Sequence, residues 1–214
     1  MNRFIDLLML IVTAPVWITA ILVISGLIIL CDGFPVFFRQ TRIGARSKPF
    51  TLFKFRTMVP WNEGGSVHAI ADLSRVTTFG RWLRRRHFDE LPQMFNILKG
   101  EMSFIGPRPE IPFYFDSSFK PIEHVLPGLI DSATVHWIDE DAVLSRVEDP
   151  DFHYRAVILP DKLARSAEDV AAKSVAYDFR LLMKALRIVC LGGKPTPKHE
   201  NVRADRGRSN ALSG

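Results

Sequence analysis

The longest apolar segment of the chain lies at its N-terminus. Residues 7 to 31 carry no charged side chain. About 25 residues in a helix rise roughly 37 Å, which is enough to cross a bilayer. The run is too long for a signal peptide, and no small-residue cleavage site precedes the polar chain. The pattern therefore predicts a membrane helix over residues 1–32.

Two features of this segment favour a hairpin over a single-pass anchor. Pro15 removes a backbone donor and crowds the carbonyl of Ile11, so we expect a bend there, with the Thr13 hydroxyl bonding a freed carbonyl. Cationic side chains flank both ends of the run, with Arg3 before it and four basic residues within positions 39–48 after it. Positively charged residues tend to stay on the cytosolic side of a membrane, and here they flank both ends of the run. Their distribution therefore favours a re-entrant helix-break-helix that returns to the cytosolic face. A spanning anchor fits the hydropathy alone.

Phenylalanine-rich segments predict two short strands next. They cover residues 34–38 and 50–56, and the polar, glycine-containing stretch 42–48 joins them as a hairpin. In the second strand Lys54 and Arg56 share one face. Two cations on one face suit a phosphate contact or a solvated surface equally well.

Two helices are predicted in the middle of the chain. Thr77 or Thr78 can cap the first, which carries arginines on its polar face and suits an anionic membrane surface or nucleic acid. Residues 89 to 98 form the second, with Pro92 tolerated in its first turn and an end at Gly100.

The remaining segments complete a three-part organisation. Residues 61 to 72 predict a loop. The aromatics of 111–119 suit either lipid headgroups or a core. Residues 171 to 190 predict the longest helix of the polar region, with an apolar stripe and basic flanks that suit a membrane surface. Residues 192 to 214 predict a flexible tail. We expect an α+β, mainly helical fold, with a catalytic domain and interfacial helices over 33–191.

Composition narrows the classes of function. The chain has 214 residues and a formal net charge of +5, which suits nucleic acid, anionic lipid or phosphorylated substrates. Cys31 and Cys190 form no disulfide framework, so we interpret both as reduced. The six histidines are not paired with cysteine, which argues against a zinc site.

The chemistry of the chain is concentrated at two adjacent acids, Asp89 and Glu90. Three arginines, Arg84 to Arg86, precede them, and the predicted helix N-terminus stabilises anions. Carboxylates in such a place can act as a nucleophile or as metal ligands, whereas Asp89 taken alone is more simply interpreted as a helix cap. The pattern indicates phosphate chemistry.

Several segments together resemble the bacterial monotopic phosphoglycosyl transferases, a family of membrane sugar transferases. After the Pro-broken helix come PVFFRQTRIG at 35–44, FKFRTM at 53–58, RVTTFGRWLR at 75–84, DELPQMFNILKG at 89–100 and EMSFIGPRPE at 101–110. Each segment alone is weak evidence for the resemblance. All of them together, in the family's order and over half the chain, are specific to the family.

The resemblance implies a reaction and a place for it. Members transfer a sugar-1-phosphate from a UDP-sugar to a polyprenol phosphate, with Mg²⁺, at the cytosolic face of the bacterial inner membrane, and release UMP. By this resemblance Asp89 is the nucleophile that forms a covalent phosphosugar intermediate, Glu90 supports it, and both acids hold the metal. The expected substrate and phosphate contacts are Lys54, Arg56, Arg84, Arg86, Arg108, Glu110 and Arg146. No nucleic acid partner is implied, and a homo-oligomer stays open.

Two departures from the family pattern bear on the site. His87-Phe88 stand where Ser-Leu is common, and the loop 127–133 reads PGLIDSA instead of the usual Pro-Gly-Ile-Thr-Gly type. If that loop contacts nucleotide or sugar, the donor differs from the common ones. Rival interpretations are a membrane-anchored basic binding module without catalysis and an ordinary glycosyltransferase that would release UDP.

Overall fold

The computed structural model describes residues 2–59 and 75–191 of the chain, and the α+β, mainly helical class predicted from the sequence is confirmed. The loop predicted at 61–72 and the tail predicted at 192–214 lie outside the described residues. The regular elements, in chain order, are α1 (Arg3–Asp32), β1 (Phe37–Ile43), β2 (Pro49–Phe55), α2 (Thr78–Arg85), α3 (Met94–Lys99), β3 (Ser103–Ile105), β4 (Gly128–Ile130), α4 (Ser132–His136), α5 (Glu140–Leu144), α6 (Pro150–His153), α7 (Leu159–Ala171) and α8 (Val175–Leu191).

The predicted membrane helix is present as α1, the one helix of the described residues that is long and apolar enough to cross a membrane. Asn2 caps its N-terminus by accepting a hydrogen bond from the backbone N–H of Phe4 at 3.2 Å. Pro15 lies within the helix. The Thr13 hydroxyl donates to the carbonyl of Met9 at 2.6 Å and so does not serve the Ile11 carbonyl that Pro15 leaves without its helical donor.

Both ends of α1 bond to the polar domain. At the N-terminal end, the guanidinium of Arg3 donates to the carbonyls of Ile97 and Leu98 at the end of α3. At the C-terminal end, the carboxylate of Asp32 accepts from the Thr77 hydroxyl at 2.8 Å. Along its length α1 contributes Leu10, Ile21, Ile24 and Ile28 to the main core. The helix is therefore part of the folded domain rather than a tethered anchor.

The predicted β-hairpin is present, but its first strand is shifted. β1 pairs antiparallel with β2 from Phe37↔Phe55 to Ile43↔Pro49, and a 3-10 turn, Ala45–Ser47, joins them. The strand thus starts three residues later than predicted and runs into the stretch assigned to the connection. Its polar residues are compatible with a strand because one face of a two-stranded ribbon stays exposed.

The two central helices differ in how closely they follow the prediction. Thr77 caps α2 by accepting from Gly80 N–H at 2.9 Å, as expected. The predicted helix over 89–98 is instead a 3-10 turn, Phe88–Gln93, followed by α3 and terminated by Gly100 at φ 83°. Pro92 has no N–H for an α-helical bond, which explains the tighter first turn.

The parallel pairing of β3 with β4 depends on two glycines. A Cβ on Gly106 would lie 2.5 Å from the Leu126 carbonyl oxygen, and one on Gly128 would lie 2.1 Å from the Gly106 nitrogen. Only glycine lets the two backbones approach this closely. This contact joins the segment after α3 to the C-terminal half.

The C-terminal half contains a second small core and a split helix. Tyr114 packs there with Trp137 and Tyr154, whereas Phe113 stays half exposed, so the aromatic segment 111–119 divides between core and surface. The helix predicted at 171–190 begins at Val175, where the Ser174 hydroxyl accepts from the N–H of Tyr177.

The apolar residues of α8 lie on two faces. Leu181, Leu182 and Ala185 pack into the main core. Val175, Phe179, Met183 and Leu186 are exposed. The apolar stripe predicted for this helix therefore divides between the core and the exposed surface.

Candidate active site

The two acids lie on a turn with an unusual entry. His87, at φ 55° and ψ 21°, joins α2 to the 3-10 turn in the left-handed conformation, which costs a non-glycine residue about 1 kcal/mol but is relatively common for histidine. His87 is also the N-cap residue of this turn, and its side chain makes no capping hydrogen bond. Asp89 therefore is not the helix cap that one interpretation of the sequence allowed.

Glu90 is neutralised by two cations. Lys54 Nζ lies 3.0 Å from Oε1, and the Arg108 guanidinium binds both carboxylate oxygens, with 3.2 Å between Nη1 and Oε2. Burial by itself raises the pKa of Glu90, but the charges and hydrogen bonds of Arg108 and Lys54 outweigh it and hold that pKa well below its usual range. Glu90 is therefore an ionised partner of two cations.

Asp89 has a different environment. Its side chain is buried, with 7% of the residue exposed, yet no group within 2–59 and 75–191 donates a hydrogen bond to its carboxylate. Burial raises the pKa of Asp89, and the charge of Glu90 adds to this effect against the opposing charges of Lys54 and Arg84. The two neighbouring acids are thus electrostatically distinct, and Asp89 is the one whose oxygens accept no hydrogen bond from the described residues.

Asn96 sets the position of Lys54. Its Oδ1 accepts from the N–H of Phe53 at 3.1 Å, and its Nδ2 donates to the Thr51 carbonyl at 2.7 Å, so a fully buried amide holds the edge of β2. The same Nδ2 donates to Glu101 at 2.7 Å. Because Lys54 follows Phe53 and Asn96 follows the acid-bearing turn, this contact fixes the cation relative to the acids.

Asp131 supports the chain at Arg108. Its buried carboxylate accepts from the Arg108 N–H at 3.3 Å, from the Thr134 N–H at 2.6 Å and from the Ser166 hydroxyl at 2.7 Å. In the described structure the unusual loop 127–133 therefore contributes a structural carboxylate.

Glu110 faces away from the acids and into a second network. Its carboxylate lies 3.3 Å from Arg42 Nη1 and accepts a hydrogen bond from the Tyr154 hydroxyl. Arg42 also donates to the Pro109 carbonyl at 3.1 Å. Burial, together with the negative charge of Glu110, raises the pKa of Tyr154, so its hydroxyl stays protonated as a donor. The network holds the segment that carries Arg108.

Comparison with known proteins places this geometry in a family. A family model described as bacterial sugar transferase matches residues 1–192. The chain belongs to the bacterial sugar transferase family. The resemblance to bacterial phosphoglycosyl transferases inferred from the sequence is thereby confirmed.

The names of three similar proteins describe related reactions. A Bacillus subtilis (strain 168) protein, provisionally named an undecaprenyl-phosphate N-acetylgalactosaminyl 1-phosphate transferase, is 38% identical over 59% of this chain and 69% of its own length. The UDP-N-acetylgalactosamine-undecaprenyl-phosphate N-acetylgalactosaminephosphotransferase of Aeromonas hydrophila is 36% identical over 72% of this chain and 38% of its own length. The UDP-glucose:undecaprenyl-phosphate glucose-1-phosphate transferase of Xanthomonas campestris pv. campestris is 42% identical over 48% of this chain and 23% of its own length. The match thus takes in well under half the length of the last two relatives.

Not all of the cations predicted for this bacterial sugar transferase lie beside the acids. The buried Arg56 guanidinium donates to the carbonyls of Asp32 and Gly33, both at 2.7 Å, and of Phe34 at 3.2 Å. It therefore binds the end of α1 and the two residues that follow it.

The remaining predicted arginines divide into two groups. Arg84 lies close enough to lower the pKa of Asp89, against the larger effect of burial, and Arg84 Nη1 is 3.4 Å from Asp141 Oδ2 on α5. Arg86 and Arg146 are exposed, and no contact described for either side chain reaches the acids. Lys54, Arg84 and Arg108 are therefore the cations that the structure brings to Asp89 and Glu90.

Sequence reasoning missed the side chains that position this site. Asn96, Asp131, Arg42 and Tyr154 were not singled out. Asn96 had a detectable signal, since a lone amide between Phe95 and Ile97 interrupts an apolar stretch. The other three depend on contacts between segments far apart in the chain.

The donor set suits a divalent cation that relies on its substrate. Within the described ranges no group of three or more His, Cys, Asp or Glu side chains is arranged for a metal. Magnesium typically uses one or two carboxylates and completes its shell with water and substrate phosphates. Asp89 fits that pattern because no described donor occupies its oxygens, whereas both oxygens of Glu90 already accept hydrogen bonds from Lys54 and Arg108 and would offer an ion only their remaining lone pairs.

Proposed function

We propose that this chain transfers a sugar-1-phosphate from a UDP-sugar to a polyprenol phosphate, releases UMP, and thereby performs the first membrane step of glycan assembly. The observation that carries the proposal is the asymmetry of the two acids. Asp89 is buried without a described hydrogen-bond donor, and its neighbour Glu90 is neutralised by Lys54 and Arg108. The names of the family members supply the class of substrates.

In the first step the Asp89 carboxylate attacks the phosphorus that carries the sugar. A bond forms between an Asp89 oxygen and this phosphorus, and the bond to the bridging oxygen of the diphosphate breaks. UMP leaves with that electron pair. Lys54 and Arg108 offset the negative charge at the site, because a carboxylate attacks an anionic diphosphate only where cations balance the charge.

In the second step a phosphate oxygen of the polyprenol phosphate attacks the same phosphorus. The bond to Asp89 breaks, its carboxylate is restored, and the product is a polyprenol diphosphate sugar. Asp89 and Glu90 would hold a magnesium ion, which supplies positive charge to the diphosphate when bound. Attack in two steps at one phosphorus lets a single carboxylate serve a soluble donor and a lipid acceptor in turn.

The attachment of α1 supports a one-sided membrane arrangement. Arg3 at one end and Asp32 at the other both bond to the polar domain. We therefore propose that α1 enters and leaves by the cytosolic face of the bacterial inner membrane, as a re-entrant element. This arrangement holds Asp89 at headgroup depth, where the acceptor phosphate lies.

The proposal is tested by nucleotide release. Membranes containing the chain are mixed with Mg²⁺, polyprenol phosphate and a panel that includes UDP-glucose and UDP-N-acetylgalactosamine, since the relatives differ in sugar. We expect UMP from one donor, no UMP from Asp89→Asn, and full activity from Asp139→Asn, an exposed acid whose side chain makes no capping hydrogen bond. Release of UDP would identify ordinary glycosyl transfer. Absence of any nucleotide product would support the binding-module alternative.

The covalent intermediate is tested by mass spectrometry. When donor is supplied without acceptor, the wild-type chain should gain the mass of one sugar phosphate, and Asp89→Asn should not. Retention of Asp89→Asn in the membrane fraction shows that the loss is chemical. An unmodified wild-type chain during rapid turnover would argue for direct transfer between the substrates.

A further inference from the structure

Asp141, on the first turn of α5, contacts a cation of the active site. Its Oδ2 lies 3.4 Å from Nη1 of Arg84, whose positive charge also acts on Asp89. The preceding acid, Glu140, is already bound by Lys162. Asp141 therefore places a second carboxylate close to the nucleophile, on an element that sequence reasoning did not connect with the site.

The contact between Asp141 and Arg84 leaves hydrogen-bonding capacity unused on both sides. Arg84 Nη1 is buried, and no acceptor within residues 2–59 and 75–191 makes a hydrogen bond with it, because the contact at 3.4 Å is an ion pair without hydrogen-bond geometry. The Asp141 side chain is 54% exposed, and no described group donates a hydrogen bond to its carboxylate. A buried donor without an acceptor is unusual in a folded protein, and beside an active site it indicates a place for a ligand atom.

The backbone that carries Asp141 is held by packing beneath it. Leu144 of the same helix is 1% exposed and packs with Trp137 in the second small core. The N–H of Glu140 donates to the carbonyl of Trp137 at 3.0 Å. An exposed carboxylate on a fixed backbone is preorganised to bind a ligand, because little conformational freedom is lost on binding. This segment closely follows the loop 127–133, in which the chain departs from the family pattern.

The geometry of the proposed reaction decides which part of the donor lies here. In phosphoryl transfer the attacking and leaving oxygens are roughly in line, so UMP departs from the side of the phosphorus opposite to Asp89. The sugar is attached through one of the three remaining oxygens, which surround that line. Arg84 lies on the last turn of α2, directly before the turn that carries Asp89, and so stands beside the nucleophile. A phosphate oxygen bound by Arg84 therefore brings the neighbouring sugar, rather than the nucleotide, to Asp141.

We propose that the Asp141 carboxylate accepts hydrogen bonds from hydroxyl groups of the donor sugar and so contributes to the choice of donor. The inference rests on the proposed function, because it assigns a contact to the sugar that is transferred. Hydroxyl groups are donors, and an ionised carboxylate is the strongest acceptor that a side chain can offer them. On binding, a phosphate oxygen takes the Arg84 guanidinium and the sugar takes Asp141. Both side chains thereby gain hydrogen bonds that they do not make with the described residues.

The test compares donors that lack single hydroxyl groups. UMP release is measured with UDP-glucose, UDP-N-acetylgalactosamine and the 3-, 4- and 6-deoxy forms of each, for the wild type, Asp141→Ala and the control Asp139→Ala. In the wild type and the control, loss of the recognised hydroxyl should lower kcat/KM by about 30-fold, as expected for a hydrogen bond to a charged group. In Asp141→Ala the parent donor should be slowed by about the same factor, and its deoxy form should be slowed no further. Asp141→Asn, which keeps an acceptor oxygen, should lie between.

Melting of the purified variants separates this effect from misfolding. Asp139 and Asp141 are both exposed, and an exposed ion pair contributes little to stability. Both alanine variants should therefore melt close to the wild type and stay in the membrane fraction. A common loss of melting temperature and activity in Asp141→Ala alone would identify a structural role and overturn the inference.

Three kinetic outcomes would also overturn the inference while leaving the proposed function in place. If Asp141→Ala slows the parent and every deoxy donor by one factor, as Arg84→Met should, Asp141 acts only by positioning Arg84. If inhibition by UMP weakens in Asp141→Ala as much as the reaction does, the carboxylate holds ribose. If Asp141→Ala is as active as the wild type with each donor, the contact does not exist. A wild type that releases no UMP from any donor would instead remove the proposed function itself.

Discussion

Lys54 Nζ lies 3.0 Å from Glu90 Oε1, and the pair joins the strand β2 to the turn that carries Asp89. Both side chains are largely buried, so the contact is weakly screened by water. Together with Arg108, Lys54 balances the charge of Glu90 and leaves Asp89 as the acid whose oxygens accept no hydrogen bond from the described residues. The division of roles between the two acids depends on this contact.

Replacing Lys54 should therefore impair the reaction more than the fold. We expect Lys54→Met to reduce kcat/KM for UMP release by about a hundredfold, because one of the cations beside the diphosphate is lost. Lys54→Arg, which keeps the charge, should retain more activity. Thermal melting of the purified variants reports on folding separately, and a fully active Lys54→Met would contradict the charge-balance argument.

Asn96 should be a stability determinant that acts through both donors of its amide. Asn96→Asp keeps the acceptor for Phe53 but loses the donors to Thr51 and Glu101 and places two carboxylates together. We expect a loss of about 3 kcal/mol or more in the free energy of unfolding, measured by thermal or denaturant melting. Adding Glu101→Gln restores a donor, so the double variant should recover part of that loss. No recovery would show that the Asn96–Glu101 contact is unimportant.

The Arg42–Glu110 pair should matter through the segment that carries Arg108. Arg42→Met leaves the buried Glu110 carboxylate without its cation, and breaking such a pair costs about 3–5 kcal/mol. Tyr154→Phe removes the other donor to Glu110. A double-mutant cycle between Arg42 and Tyr154, followed by melting, should show coupling of about 1 kcal/mol, and strictly additive losses would argue against a shared network.

The glycine contact between β3 and β4 predicts a sharp difference between similar substitutions. Gly106→Ala and Gly128→Ala each place a methyl group within 2.5 Å of backbone atoms, so we expect misfolding or a large loss of melting temperature. Gly26→Ala is the control, since a Cβ there meets nothing within 4 Å and alanine favours a helix. A normal melting temperature for Gly128→Ala would mean that the two strands separate more easily than their packing indicates.

Metal removal tests the donor set. Chelation by EDTA should abolish UMP release, and added Mg²⁺ should restore it, because the proposed ion depends on the two acids and on substrate phosphates. Melting in the presence of EDTA should be unchanged, since the described fold uses no metal cluster within residues 2–59 and 75–191. Activity that survives complete chelation would remove magnesium from the mechanism.

Local patterns were sufficient for much of the fold. The uncharged run predicted α1, the Thr77 cap predicted the start of α2, and Gly100 predicted the end of α3, because each of these depends on neighbouring residues. The shifted start of β1 and the Ser174 start of α8 were not predicted. The start of β1 is set by its pairing with β2, and the start of α8 is set by a break in the backbone. Neither cause changes the spacing of hydrophobic residues along the sequence.

The amino-acid sequence was enough to predict the chemistry available to the chain: a membrane helix, two adjacent acids, several cations and a family of transferases. Which of those groups meet depends on the folded structure. Lys54 and Arg108 bind Glu90, whereas Arg56, two residues beyond Lys54, donates hydrogen bonds to carbonyls at the end of α1. Charged side chains from distant segments can pair only where the packing of helices and strands brings their surfaces together. Residue type and local period specify an element, but not the surface that the element will meet.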